Sequence, residues 1–363
     1  MKATQKLHDL GQSLWLDNIT RKLLTSGTLG RYINELSVTG LTSNPTIFEH
    51  AIKEADFYDD AIRQKALVGK SGEALFFELA LEDLTQAADL FRPVHDATDG
   101  VDGWVSLEVS PLLADDTAAT IKAAVELHAQ SQRPNIFIKI PGTPEGIVAI
   151  EETIFAGVPV NVTLLFSREH YIAAAEAYMR GIERRITAGL APRVACVASL
   201  FISRWDVAVK DKVPEVLRNR LGIAIAKCTY KAYCDLLASK RWQTLADAGA
   251  RPQRLLWAST GSKDPEVSDT LYIEALSAPG TINTLPEKTL LAFADHGNVR
   301  GEMPTDGGDA EAVLAEFAQA GVDNAALAAD LQREGTVAFT KSWRDLLDRI
   351  AKKTDVFRKT IQT

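Results

Sequence analysis

The sequence predicts a (β/α)₈ barrel, and three observations lead there. Short apolar runs recur eight times along the chain, segments of helical periodicity lie between them, and polar residues keep to one parity within the runs. Strand and helix alternating in this way argue for parallel βαβ units. Eight units argue for a closed barrel, with a doubly wound open sheet as the rival.

The expected strands are Ser13–Ile19, Val38–Asn44, Val105–Val109, Ile136–Pro141, Val160–Phe166, Ala195–Phe201, Arg254–Thr260 and Thr281–Leu285. The starts at residues 105, 136, 160 and 195 each leave room for one helix, as at Ala114–Ala129, Pro144–Ala156 and Arg168–Ala188. Pro286–Ala294 follows the eighth strand. The interval from 38 to 105 is too long for one helix and reads as three: Pro45–Lys53, Asp56–Leu67 and Glu73–Phe91. The interval from 195 to 254 also holds extra helix. Residues 311–358 read as a helical extension with an amphipathic stretch at Val337–Lys353. No Pro- or Ser-rich linker and no repeat of motifs divides the chain. One domain over 1–363 is expected, with the barrel at about 13–295.

Of the 363 residues, 46% are hydrophobic and 24% charged, a globular composition rather than a disordered one. The formal net charge is −8, which argues against a nucleic-acid partner while leaving room for a local basic pocket. Cys196, Cys228 and Cys234 form no C-x-x-C pair and no disulfide framework, so a reducing cytoplasm is expected. Met1–Lys6 is charged and lacks an apolar core, so no secretory leader is read there. No run of 18 apolar residues offers a membrane span.

The polar residues inside the strands carry the functional signal. Asp17 opposes the leucines of the first strand, and Thr42 and Asn44 share a parity in the second. Ser106 and Glu108, Phe137 and Lys139, Asn161 and Thr163, and Ser199 and Phe201 occupy the face opposite the aliphatic residues in the next four. One such strand would be an ordinary amphipathic strand. Six are harder to explain that way, because parallel strands are usually covered on both faces. If the aliphatic faces meet the helices, the polar groups converge in the barrel mouth.

Lys139 needs an explanation. A buried ammonium is costly unless it is paired or gives up its proton, and a neutral amine can attack a ketone to form a Schiff base. The residues leave two readings equally open: an imine-forming nucleophile, or a charged lysine in a structural ion pair with Glu108 or Asp17. Glu108, Asp17 and Thr163 supply groups for the proton transfers that imine chemistry needs.

Other patterns carry less. Gly69-Lys70-Ser71 imitates the end of a phosphate-binding loop but has Gln64 where the first glycine belongs. The run His95–Gly100 lacks calcium-loop spacing. There is no G-x-G-x-x-G, and the six histidines contain no H-x-x-x-H pair, so neither a cofactor nor a metal is expected. The tryptophans at 104, 205, 242 and 257 read as core or pocket wall.

Gly40-Leu41-Thr42-Ser43-Asn44-Pro45-Thr46-Ile47-Phe48 resembles the first signature of the transaldolase family. Ile136-Phe137-Ile138-Lys139-Ile140-Pro141 resembles the segment around that family's Schiff-base lysine. Asn161–Ser167 and Ser199–Arg204 resemble its next two segments, and the likeness runs in order from about Asp17 to Leu285. The length and the helical tail are most similar to the longer bacterial members, including those fused to glucose-6-phosphate isomerase, although this chain has no room for an isomerase domain. The resemblance implies a metal-free class I aldolase barrel with its lysine on the fourth strand, where the strand count also puts Lys139.

It also implies transfer of a dihydroxyacetone unit between sedoheptulose 7-phosphate/glyceraldehyde 3-phosphate and erythrose 4-phosphate/fructose 6-phosphate. By the same resemblance Lys139 carries the imine, Glu108 and Thr163 hold the catalytic water, and Asp17 handles the hydroxyl proton in C–C cleavage. Asn44, Asn161, Ser199 and Phe201 contact the donor, and Arg204 clamps a phosphate. Shorter members carry S-x-R after the seventh strand. Here Gly261 takes the arginine's place within Ser259-Thr260-Gly261-Ser262-Lys263, leaving Ser259 and Lys263 as candidates for the second phosphate contact. The expected partners are sugar phosphates, and the chain is expected to work as a monomer or a homodimer. The rivals are a fructose-6-phosphate aldolase, a non-catalytic sugar-phosphate-binding barrel and a metal-dependent hydrolase.

Overall fold

The computed structural model describes residues 1–54 and 56–361. Eight parallel strands close into a barrel in chain order. They are β1 (Ser13–Asp17), β2 (Val38–Thr42), β3 (Trp104–Glu108), β4 (Ile136–Pro141), β5 (Val160–Leu165), β6 (Cys196–Phe201), β7 (Arg254–Ala258) and β8 (Ile282–Leu285). β1 pairs with β8 from Ser13↔Ile282 to Leu16↔Leu285, which closes the sheet and excludes the open-sheet rival.

Several strands end earlier than expected, because the chain leaves the ladder to start the next element. After β2, the Asn44 side chain accepts the Ile47 N–H at 3.0 Å and caps the helix Pro45–Glu54, so Asn44 lies outside the strand. After β7, Ser259 turns into the left-handed region with φ 54°. The β4-to-helix turn is equally specific. Thr143 caps the helix Pro144–Phe155 through the Gly146 N–H, and a Cβ on Gly146 would lie 1.9 Å from the Pro141 carbonyl oxygen.

The aliphatic residues Leu14, Leu16, Ile136, Ile138 and Ile140 are fully buried. On the other parity, aromatic rings fill the lower barrel. Trp104 stacks on Phe137 at 4.2 Å between centroids, and Trp15 stands 6.1 Å from Phe137. A Cβ on Gly40 would come within 2.6 Å of the Trp15 indole, so a bare backbone on β2 makes room for that ring. One residue pair further along these strands, the same parity carries Asp17, Thr42, Ser106 and Lys139. The polar groups thus rest on an aromatic floor.

The long helix expected to stop at Phe91 runs over Gly72–Ala97 with Pro93 inside it, and the one expected over Asp56–Leu67 opens with a 3₁₀ turn at Asp56–Tyr58. The extension expected at 311–358 is two helices, Ala310–Gln319 and Asn324–Ile361, parted at Gly321 (φ 88°). The second buries Phe339, Trp343, Leu346 and Ile350, one stripe at helical spacing. That stripe packs on the Pro45–Glu54 helix and over the mouth of the barrel. Trp343 donates to Glu73, Thr46 bonds Ser342, and Arg349 pairs with Glu49 at 2.7 Å.

Candidate active site at the barrel mouth

Lys139 leaves β4 beside Glu108 of β3, its register partner. Lys139 is 5% exposed and Glu108 6%. Nζ lies 3.1 Å from Glu108 Oε2 and donates to the Ser43 carbonyl at 2.9 Å. The Glu108 contact is an ion pair whose angles fall short of a hydrogen bond, leaving Oε2 without an aligned donor. Burial raises the Glu108 pKa above the ordinary carboxylate range, the Lys139 charge opposes that rise, and the Asp17 charge adds to it. Thr163 Oγ1 on β5 is also buried without a partner among the described residues.

Asp17 stands at the end of β1, partly open to the pocket. Burial pushes its pKa up against the pull of Lys139, a hydrogen bond from Thr42 and the more distant Lys263. Thr42 Oγ1 donates to Asp17 Oδ1 at 2.7 Å and lies 2.6 Å from Thr284 Oγ1 of β8, so two hydroxyls in series hold this carboxylate. The site therefore contains two carboxylates near one lysine in different surroundings: one enclosed, the other open and hydrogen-bonded.

All the residues singled out from the sequence except Glu108 and Asn161 line one cleft of about 610 Å³. Those two lie directly behind its lining. Asn161 is fully buried, donates to Ser106 at 3.1 Å and accepts from Ser199 at 2.7 Å, so it orients the Ser199 hydroxyl. Asn44 spends Oδ1 on its helix cap and has Nδ2 left for a ligand. Arg204, at the start of the helix after β6, is half-buried and lies over the Phe201 ring at 5.0 Å. It has no hydrogen bond or ion pair among the described residues, and its desolvation lowers its pKa, an effect that Glu334 opposes. Across the mouth, Ser259, Gly261 and Lys263 complete the wall, with the Ser259 hydroxyl 2.9 Å from that of Ser203.

Thr42, Thr284 and Phe339 also line the cleft. Thr42 is marked in the sequence by its parity alone. Thr284 follows the same alternation in β8 and could have been found by it. Phe339 comes from the C-terminal helix, and no local pattern ties it to this pocket. Among the described residues no group of three or more His, Cys, Asp or Glu is placed to hold a metal ion, and no helix is long and apolar enough to cross a membrane.

A family model described as "Transaldolase/Fructose-6-phosphate aldolase" matches residues 14–350. The chain is 46% identical over 358 residues to a transaldolase of Thermobifida fusca, covering 96% of this chain and 97% of that one. It is 44% identical over 359 residues to a transaldolase of Saccharopolyspora erythraea, covering 97% of each. A transaldolase of Arthrobacter sp. is 44% identical over 353 residues, with 95% of each covered.

Proposed function

The chain belongs to the transaldolase/fructose-6-phosphate aldolase family, and we infer that it is a transaldolase that carries a dihydroxyacetone unit as an imine on Lys139 from a ketose phosphate to an aldose phosphate. The observation that carries this reading is the enclosed Lys139–Glu108 pair at 3.1 Å, at the base of a cleft that also holds Asp17 and Arg204, an arginine with no ion pair among the described residues.

Proton transfer from Lys139 to Glu108 within that contact gives a neutral amine and a neutral acid, and burial of the carboxyl favours that exchange. The amine adds to the ketose C2 carbonyl. Loss of the C2 oxygen as water needs a proton, which Glu108 supplies through a water held with Thr163, whose buried hydroxyl has no partner among the described residues. Asp17 then takes the proton of the C4 hydroxyl as the C3–C4 bond breaks. The bonding pair moves into the iminium, leaving an enamine on Lys139 and releasing an aldehyde. The acceptor aldehyde enters, the enamine carbon attacks it, Asp17 returns the proton, and hydrolysis through Glu108 frees the new ketose. The iminium is the electron sink, so the chain's own residues suffice.

Ser199 and Asn44 Nδ2 are placed to hold the hydroxyls of the three-carbon unit, with Asn161 orienting Ser199. Arg204 and Lys263 face the phosphate end, where a planar guanidinium suits two phosphate oxygens at once. The substrates are sedoheptulose 7-phosphate with glyceraldehyde 3-phosphate, and erythrose 4-phosphate with fructose 6-phosphate, in the non-oxidative pentose phosphate pathway. A cytoplasmic setting suits the free thiols at Cys196, Cys228 and Cys234.

Borohydride reduction with fructose 6-phosphate, followed by intact-mass and peptide mapping, tests the reading. It expects a dihydroxyacetone adduct on Lys139 and, without borohydride, transfer of the unit to erythrose 4-phosphate. No adduct on the folded protein would make Lys139 a structural charge. An adduct without transfer would make the protein an aldolase.

A further inference from the structure

Arg204 makes no ion pair or hydrogen bond among the described residues and lies against two rings. Its guanidinium carbon lies 5.0 Å from the Phe201 centroid and 5.9 Å from that of Phe339, a residue of the C-terminal helix Asn324–Ile361. One turn earlier on the same face, Gly335 has no side chain. A Cβ there would stand 3.3 Å from Arg204 Nη1 and 2.8 Å from Leu164 Cδ2. The Leu164 backbone sits at φ 58° where the β5–β6 register shifts, so it is the Leu164 side chain that would have to move. A further turn back, Gln332 Nε2 donates to the Gly142 and Leu164 carbonyls, both at 3.0 Å, and so ties the helix to the ends of β4 and β5. Residues 332, 335 and 339 therefore form one stripe laid across the mouth. Phe339 and Arg204 both line the catalytic cleft and the adjoining outer groove around Asn18, Thr46 and His50.

We propose that Phe339 and Gly335 are positioning residues for Arg204: the ring closes one side of the guanidinium, the bare glycine leaves it space, and together they aim it at the phosphate of the substrate. This rests on the transaldolase reading above. An arginine without an ion pair keeps its donors free for phosphate, but it gains no orientation from a counter-ion. Aromatic faces supply the orientation and take up no N–H donor. The C-terminal helix thus sets selectivity for the phosphorylated end of the substrate and not the chemistry at Lys139.

The test compares wild type with Phe339→Ala, Phe339→Leu, Phe339→Tyr and Gly335→Ala, using fructose 6-phosphate and unphosphorylated fructose as donors and inorganic phosphate as a competitive inhibitor. A cation–π contact of this size corresponds to roughly 3- to 30-fold in affinity. Phe339→Ala, Phe339→Leu and Gly335→Ala are expected to raise KM for fructose 6-phosphate, and Ki for phosphate, about tenfold. Their kcat should stay within about threefold, and kcat/KM for fructose should change little. Phe339→Tyr, which keeps the ring, should restore the wild-type constants. Phe339→Leu keeps the apolar packing and so separates loss of the ring from loss of the fold. Unchanged KM and Ki in Phe339→Ala and Phe339→Leu would overturn the proposal, as would an equal loss for both donors. If wild type itself gives no borohydride adduct on Lys139, the catalytic reading fails. If the adduct forms and the constants do not move, this inference alone fails.

Discussion

Replacing Lys139 with alanine should do more than stop turnover. It should leave Glu108 buried without its counter-ion, and the resulting stability deficit should depend on pH. At 3.1 Å and an effective dielectric near 20, the lost attraction is about 5 kcal/mol. The folded variant has a cheaper response, which is to protonate Glu108. From an ordinary glutamate value of about 4.3, that costs about 4 kcal/mol at pH 7 and about 1 kcal/mol at pH 5. Burial already raises the Glu108 pKa in the folded state, and removing Lys139 raises it further. A carboxyl with a raised folded pKa favours folding below its unfolded value, and that contribution is lost as pH climbs toward the folded value. The variant's deficit relative to wild type should therefore be larger at pH 7 than at pH 5, with ceilings of about 4 and about 1 kcal/mol because wild type already bears part of the cost, on top of a pH-independent part from the lost methylenes. Urea unfolding of both proteins at pH 5, 6 and 7 measures this. The double variant Lys139→Met/Glu108→Gln removes both charges and should recover most of the loss at pH 7. A deficit that is flat or grows toward pH 5 would refute this electrostatic account, and any residual turnover in Lys139→Ala would remove Lys139 as the nucleophile.

Glu108→Gln keeps the shape of the side chain and removes its proton. It should lower kcat by about 10²- to 10⁴-fold with little change in donor KM in a coupled transfer assay, and a loss under tenfold would take the proton shuttle away from Glu108. Arg204→Ala should raise KM for fructose 6-phosphate by about 10- to 100-fold and leave kcat within about fivefold. Arg204→Lys should recover only part of that, since an ammonium cannot reproduce the planar fork, and an unchanged KM in the alanine variant would end the phosphate role. Gly146→Ala drives a Cβ to 1.9 Å from the Pro141 carbonyl oxygen. It should cost at least about 2 kcal/mol and lower Tm by about 2–3 degrees or more in calorimetry, with a shift under one degree counting against a rigid β4 turn.

The barrel was legible because two periods separate cleanly in this sequence, and because buried parallel strands make inward polar residues conspicuous. Asp17, Glu108, Lys139, Thr163 and Ser199 all follow from alternation alone. Alternation does not show where a strand leaves the ladder. Asn44 and Ser259 share the parity of strand residues, yet one is a helix cap and the other has a positive φ. Nor does it separate a residue that faces the cleft from one behind it, which is why Asn161 reads like Ser199 although its amide is taken up by Ser106 and Ser199. The C-terminal helix was the least legible part. Its apolar stripe announces burial, but the surfaces it meets lie at residues 46, 73, 142 and 164, and only the folded chain brings these together.

The departure at Gly261 ties these parts into one account of phosphate recognition. Shorter family members place an arginine at that position, whereas here even a Cβ would come within 3.1 Å of Pro286 and 3.4 Å of the Thr289 hydroxyl. A side chain there would start in tight contact with the N-terminal end of the helix after β8. The positive charge on this wall instead comes from Lys263, two residues on, which lines the cleft and acts on Asp17 from across it. A lysine supplies charge without the fixed fork that orients a phosphate. Orientation then falls to Arg204, which makes no ion pair or hydrogen bond among the described residues and has only the more distant charge of Glu334. On the proposed phosphate role of Arg204, its contacts with Phe201 and Phe339 and the lysine at 263 belong together: with glycine rather than a second guanidinium at 261, Arg204 needs firmer orientation, and the C-terminal helix carries one of the rings beside it.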